Sequence, residues 1–535
     1  MSAPSIFNDV LGPVMRGPSS SHSAGALRIG KIARDLMQGQ LEHVLVEYDP
    51  NGSLVTTHKS QGSDMGLFGG LLGWQANDER LIDYQQHIDN ASISIDIKYT
   101  DYGASHPNTY KLTLTNKDSI HQLVAISTGG GMIELISLDD APLAFTGDSY
   151  LVLLFCSSQD LARLHQSIKS CISATSTYNI TRSEGKQCFI SLQSSQPFDN
   201  VIIEALSAIN QVKGIRQINS VMPILTNPNM NLPFNNSLAL EAYCQQNPNI
   251  TDISSLAILY EQARSGLTES QLMSKMDNIR QVMQAAIDTG LNGTTFEDRL
   301  LPAQSPRFLQ KKQQGQLLAG GVLNDIVMQV SAIMEAKSAM HPIVAAPTAG
   351  SCGAMAGAVI AVANSINASD EQICRALFTA GLIGVFVTKD ATFAAEEAGC
   401  MAECGTGSGM AAAALVYLAG GSIKQCTSAA SMALQNSFGL VCDPIANRVE
   451  APCLGKNVMA ASNALSCANM AMADYLQVIP LHEVITAMSK VGQAIPHELC
   501  CTALGGLSVT PTAKKLEEQL EGKVAAANII FYKSC

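Results

Sequence analysis

Fifteen cysteines and ten histidines are the side chains through which this 535-residue chain could most readily bind metal or move protons near neutral pH. Thiolates hold iron and zinc, and imidazole titrates close to working pH. Cys400 and Cys404 form a C-x3-C pair, Cys500 and Cys501 are adjacent, and Cys535 is the final residue. Cys442 and Cys453 lie between the two pairs. The short ferredoxin run of closely spaced cysteines is absent. Spacing alone therefore selects no ligand set, and on spacing any one of these thiols reads more readily as a small buried apolar residue than as a metal ligand. An odd number of cysteines also argues against a disulfide framework. The stretch Met1–Val14 has no basic flank and no continuous apolar run, so no export leader is expected and a reducing, cytoplasmic setting fits.

Four polar segments add further chemistry. In Arg16-Gly17-Pro18-Ser19-Ser20-Ser21-His22-Ser23 the serines could cap the helix that follows or cradle an anion at its start. Ser105-His106-Pro107-Asn108-Thr109 sets a second histidine in a loop. Ala346-Pro347-Thr348-Ala349-Gly350-Ser351-Cys352-Gly353 is a glycine-containing turn into a helix, whose N–H groups and Thr348 could hold a carboxylate. Ser127-Thr128-Gly129-Gly130-Gly131-Met132 could be a phosphate loop or a tight turn, and the turn fits better. A phosphate loop would suggest pyridoxal phosphate, which needs a Schiff-base lysine. No Ser-x-Lys setting resembling the pyridoxal-dependent dehydratases is present, so that cofactor is not expected.

Context makes the cysteines specific. The segments Glu396–Gly405, Gly439–Pro444 and Glu450–Cys453 resemble the cluster-binding region of the iron–sulfur L-serine dehydratases, with the family's spacing between Cys400, Cys442 and Cys453. The resemblance implies that these three thiolates hold a four-iron four-sulfur (4Fe-4S) cluster by three corners. A cluster that only carries electrons is normally capped at every iron. A missing fourth ligand leaves an iron free to act as a Lewis acid on the carboxylate and β-hydroxyl of serine. The same family has segments like Gly17–His22, His106–Thr109, Gly129–Glu134 and Ala346–Gly350. Ser19, Ser20, Ser21, Ser23, Asn108, Thr109, Thr348, Ala349 and Gly350 are thereby implied to bind substrate, and His22 and His106 to be the acid/base candidates. The family usually has Thr where this chain has Ser23, which keeps the hydroxyl. Single-chain members can end in a cysteine that occupies the open iron, which makes Cys535 a fourth-ligand candidate. Against that, the tail-ligated members lack the extra module described next.

These residues need elements to position them, and the chain divides into four stretches. Residues 1–148 mix helix and strand: a helix around Ala24–Met37, then period-two alternation at Val44, Val46 and Tyr48, at Ile93, Ile95 and Ile97, and at Leu112 and Leu114. Residues 149–223 run in βαββαβ order, which resembles an ACT domain and is shared by ferredoxin-like folds in general. Residues 224–236, rich in Pro and Asn, read as a linker. Residues 237–535 read as almost wholly helical; Val322, Ile326, Val330 and Ile333 mark one broad apolar face. The expected fold class is multidomain: an α+β N-terminal domain, an ACT-like domain and a mostly α-helical catalytic domain.

Composition sets the outer bounds. Hydrophobic residues make up 47% and charged residues 15%, enough for a large core. Net charge is −12 with no long basic run, so no nucleic-acid partner is expected. The most apolar windows, Pro342–Ala363 and Gly409–Gly420, read as core helices, so no membrane span is expected. A homo-oligomer, a dimer, is expected. The expected reaction is L-serine to pyruvate and ammonia. Threonine or cysteine as substrate, or a non-catalytic amino-acid-binding regulator, are the competing readings.

Overall fold

The computed structural model describes residues 3–171, 179–185, 188–227, 229–297 and 299–520. Alternating apolar residues build a six-stranded sheet in the order Ser94–Tyr99, His43–Tyr48, Thr109–Thr115, Ile120–Gly129, Met132–Leu138, Ala141–Phe145. The first pair is parallel and the others are antiparallel. Val44, Val46, Leu112, Leu114, Leu123 and Leu135 fill the face beneath the helices Gly25–Leu36 and Ser63–Leu71. These helices cross closely because Gly30 and Gly70 sit at the contact. A Cβ on Gly70 would lie 2.1 Å from the Leu27 carbonyl oxygen. The glycine triplet 129–131 is the turn of the hairpin Ile120–Leu138, with all three φ angles positive.

The next sheet has the order Gly214–Ile218, Tyr150–Cys156, Cys188–Ser194, Asn179–Ser183, antiparallel throughout. The period-two rule splits its residues between two cores. Val152, Leu154, Ile190 and Leu192 pack with Leu164 and Leu206 of the helices Leu161–Cys171 and Asn200–Ser207. Leu151, Leu153, Phe155 and Phe189 face the other way and join the core of the six-stranded sheet. The second strand of the βαββαβ order expected for 149–223 is described from Asn179; residues 172–178 lie outside the described residues.

The remainder is helical. At its centre Thr406–Leu418 is buried along most of its length and packs against Cys352–Ser365, Asp370–Asp390, Ile423–Gln435 and Cys453–Met472. Its Gly and Ala residues permit that many close neighbours. Capping boxes start Asp370–Asp390 at Ser369 and Ile423–Gln435 at Ser422. Among the described residues one helix, Asp370–Asp390, is long and apolar enough to cross a membrane, and 78% of its apolar window is buried inside the protein. It was not among the windows that stood out in the sequence.

Residues 3–15 pack mainly with the helices and meet the sheet that follows them at its glycine turn. Ile6, Phe7, Val10, Leu11 and Met15 belong to the helical core. Val14–Met15 pairs with Ile343–Val344, and buried Glu261 accepts hydrogen bonds from the Ser5 hydroxyl (2.7 Å) and the Ile6 N–H (2.8 Å).

Candidate active site

Cys400 follows a backbone reversal. Gly399 has φ 66° and ψ −171°, a conformation open to glycine alone, and its Cα lies against the Leu440–Val441 strand of chain. This turn carries Cys400 to the start of a short wide helical turn, Met401–Gly405, that brings Cys404 Sγ to 3.4 Å from Cys400 Sγ. Cys442 is clamped by backbone: its N–H donates to Leu499 O at 2.8 Å and its carbonyl accepts from the Cys501 N–H at 3.0 Å. Cys453 opens the helix Cys453–Met472.

The Cys453 helix is tied to the 348–350 loop by Asn457, which is wholly buried. Its amide donates to the carbonyls of Gly350 (2.8 Å) and Cys453 (2.9 Å), and its oxygen accepts from the Ala354 N–H at 3.0 Å. Cys400, Cys404, Cys442, Cys453 and Cys501 are all buried and free. They influence one another. The Cys400 thiol, then burial, raises the Cys404 thiol; Cys501 and then burial raise Cys442; burial, followed by Cys400, raises Cys453. Lys456 supplies the balancing charge. Its ammonium donates to Val441 O and Asp443 Oδ1, both at 2.6 Å. Burial opposes that charge, but Cys400, Asp443 and Cys442 outweigh it and hold the pKa above the ordinary lysine value.

Two loops of the N-terminal region close over this thiol group. Ser19 does not cap the following helical turn with its side chain. Its hydroxyl instead meets His22 Nδ1 at 2.9 Å, and Ser20 Oγ accepts from the Ala349 N–H at 3.1 Å. Ser21 O accepts from the Ser127 hydroxyl, and Ser23 donates to Gln61 O. Gln61 then reaches Cys501 Sγ at 3.3 Å. His22 is fully buried, with Nε2 2.8 Å from Thr57 Oγ1 and Nδ1 3.5 Å from Glu396 Oε1. Burial lowers its pKa against the pull of Glu396. His106 lies nearer the surface, with Nε2 2.9 Å from Glu397 Oε1. Its Nδ1 accepts from the Asn108 N–H, and Thr109 donates to its carbonyl. Asn108 Oδ1 accepts from the Ser53 hydroxyl, while its buried Nδ2 has no partner among the described residues.

Thr348 donates to Glu403 Oε1 at 2.6 Å, and Glu403 in turn would touch any side chain placed on Gly350. Part of Glu403 remains open, yet burial still pushes its carboxyl up to about 7. A cleft of about 910 Å³ runs from the His106–Glu397 pair past Phe393, Phe145 and Gln193, between the two sheets and the helices.

Of the residues singled out in the sequence, the serine loop, Thr348–Gly350 and the thiols Cys400 and Cys453 are linked by direct or one-residue contacts. His106, Asn108 and Thr109 enter from the cleft side through Glu397. Cys535 lies outside the described residues. Glu396, Glu403, Thr57, Gln61 and Asn457 were not singled out in the sequence, and Cys404 and Cys501 were noted only as members of cysteine pairs. Glu396 and Glu403 stand inside the cysteine motif and could have been flagged as carboxylates beside thiols.

Among the described residues no set of three or more His, Cys, Asp or Glu side chains is gathered for a single metal ion. The donor chemistry nevertheless fits an iron–sulfur cluster: several buried thiols that act on one another, with a lysine counter-charge beside Cys400 and Cys442.

The fold and site define a multidomain protein whose buried thiol group is covered by histidine-bearing loops from a separate α+β region. The chain belongs to the serine dehydratase family. The model of the family described as serine dehydratase alpha chain matches residues 245–508. The chain is 41% identical over 270 residues to the probable L-serine dehydratase alpha chain of Bacillus subtilis (strain 168), covering 50% of this chain and 90% of that one. It is 31% identical over 217 residues to the probable beta chain of the same organism, covering 40% of this chain and 97% of that one. A single-chain L-serine dehydratase of Helicobacter pylori (strain ATCC 700392 / 26695) aligns over 505 residues at 25% identity, 92% of this chain and 96% of the relative.

Proposed function

We propose that the protein is an L-serine ammonia-lyase that converts L-serine to pyruvate and ammonia, with Cys400, Cys442 and Cys453 holding a 4Fe-4S cluster and Cys535 as its fourth-ligand candidate. The observation that carries this reading is the meeting of the buried thiols with the Ser19–His22 and Thr348–Gly350 loops. When bound, a cluster with one open iron supplies Lewis acidity that eases departure of the β-hydroxyl. The chain's own groups do the rest. Ser20, the 348–350 loop and the free Asn108 amide orient a carboxylate. Glu403, with its carboxyl raised to about 7, can hold or release a proton at Oε2 while Thr348 occupies Oε1. His22, kept neutral by burial, has the character of a base for the α-proton. His106 and Glu397 guard the cleft side. The closed loops exclude water until the enamine product, 2-aminoacrylate, is released to tautomerise and hydrolyse.

The βαββαβ unit is read as an ACT-type module within boundaries 149–223, between an α+β domain at 1–148 and the linker 224–236 that leads to the helical domain 237–535. Its strand order, with both helices on one face, supports that reading.

The test is anaerobic reconstitution with iron and sulfide. A brown protein that releases pyruvate from L-serine and loses activity in air is expected. Colourless protein without bound iron would refute the assignment. A panel of L-serine, L-threonine and L-cysteine, read by 2-oxo acid release, decides the substrate.

A further inference from the structure

Outside the quoted motifs, the short helix Leu54–Thr57 approaches His22. Thr57 has one hydroxyl proton and is wholly buried. Its Oγ1 lies 2.7 Å from the carbonyl oxygen of Ser53. A carbonyl only accepts, so at that separation the Thr57 proton must point to it. The same Oγ1 lies 2.8 Å from His22 Nε2. With its proton committed, Thr57 can only accept there, and Nε2 must carry hydrogen.

We propose that Thr57 is a positioning residue that fixes His22 in the Nε2–H tautomer, leaving the Nδ1 lone pair turned towards Ser19 and Glu396. At Nδ1 the Ser19 hydroxyl is a donor at 2.9 Å and the Glu396 carboxylate stands 3.5 Å away. The titratable groups acting on the ring are Glu396, across from Nδ1, and His58, the residue after Thr57. His58 is itself engaged: Nδ1 meets both oxygens of Asp64 at 2.8 and 2.9 Å, and Nε2 meets the Tyr99 hydroxyl. Neither competes for His22 Nε2. The consequence for catalysis is directional. A base needs its lone pair on the nitrogen that faces the reacting proton, and the other nitrogen must be held so that the tautomer cannot invert. Thr57 does this at Nε2, with the Ser53 carbonyl as its anchor.

The inference deepens the serine-dehydratase reading and rests on it only for the catalytic consequence. The tautomer is read without substrate. Protein labelled with ring-¹⁵N histidine is prepared anaerobically, and long-range ¹H–¹⁵N correlation is recorded at neutral pH, with His22→Gln assigning the resonance. The expected result is a protonated Nε2 and a bare Nδ1 for His22 in the wild type and in Thr57→Ser, and loss of that pattern in Thr57→Val. Thr57→Val should also lose about 10²-fold in kcat with KM little changed, while Thr57→Ser keeps activity within about twofold. A wild-type His22 protonated on Nδ1 overturns the proposal whatever the substrate. So does an unchanged tautomer in folded Thr57→Val. If that variant does not fold, the wild-type tautomer and Thr57→Ser still decide. A wild-type enzyme inert on L-serine with the expected tautomer would sink the substrate reading and leave this one standing.

Discussion

At the scale of single residues the site is a balance between buried charge and the partners that offset it. Glu397 is held below its ordinary value of 4.5, first by its hydrogen bond with His106 and against burial. A carboxyl with a depressed folded-state pKa binds fewer protons folded than unfolded. Its contribution to stability is therefore complete above 4.5 and is lost as pH falls through the lower folded value. Glu397→Gln should remove that part of the acid loss: the Tm gap between wild type and variant should be largest near neutral pH and close towards pH 3, as followed by thermal melts. A constant gap would show that the pair is not linked to proton uptake. Lys456 plays the opposite part, as the cation beside Cys400 and Cys442. Lys456→Met should leave secondary structure intact but weaken iron retention about 10-fold, a magnitude usual for groups that support metal ligands. Iron per chain after anaerobic desalting measures it, and Lys456→Arg, which keeps the charge, should fall between the two.

Elements decide which thiols meet. The reversal at Gly399 sets the approach to Cys400: a Cβ there would lie 2.8 Å from Leu440 O, and φ 66° with ψ −171° disfavours any side chain. Gly399→Ala should cost about 1–3 kcal/mol in unfolding free energy and lose bound iron in parallel. Denaturant melts with iron analysis test this, and full iron at reduced stability would mean that the turn does not set Cys400. Much of this level was readable from sequence. The strands at 43–48 and 109–115 follow from strict alternation, and the helix Val322–Ser338 from its broad apolar face. The glycine triplet is the tight turn expected of it. What could not be read has a common cause. Gln61 and Thr57 belong to no local pattern, and the Cys500–Cys501 pair names no partner; all three acquire meaning only because tertiary packing brings separate stretches of chain to Cys442 and His22. The serine run was ambiguous for a related reason. A helix cap and a histidine partner use the same hydroxyl, and only the folded loop shows that Ser19 serves His22.

At the scale of the whole molecule the helical region is not self-sufficient, even though its relatives include separate alpha chains. Ile6, Phe7, Val10, Leu11 and Met15 fill its core from the opposite end of the sequence. Each such side chain contributes roughly 1.5–3 kcal/mol on full burial. Losing all five would remove an amount on the order of a domain's entire net stability. Their loss would also strand Glu261, which holds the Ser5 hydroxyl and the Ile6 N–H and has its carboxyl raised by burial. Residues 237–535 expressed alone should therefore aggregate or bind no iron, and so should the full chain lacking residues 1–15. Co-expression of 237–535 with 1–236 should restore a soluble, iron-binding complex, because the second fragment brings both the missing core residues and the His22 and His106 loops. Size-exclusion chromatography with iron analysis separates these outcomes. A soluble, iron-loaded 237–535 fragment would show that the N-terminal segment covers the helical core without completing it, and the two regions would then have to be treated as independent folding units joined only at the site.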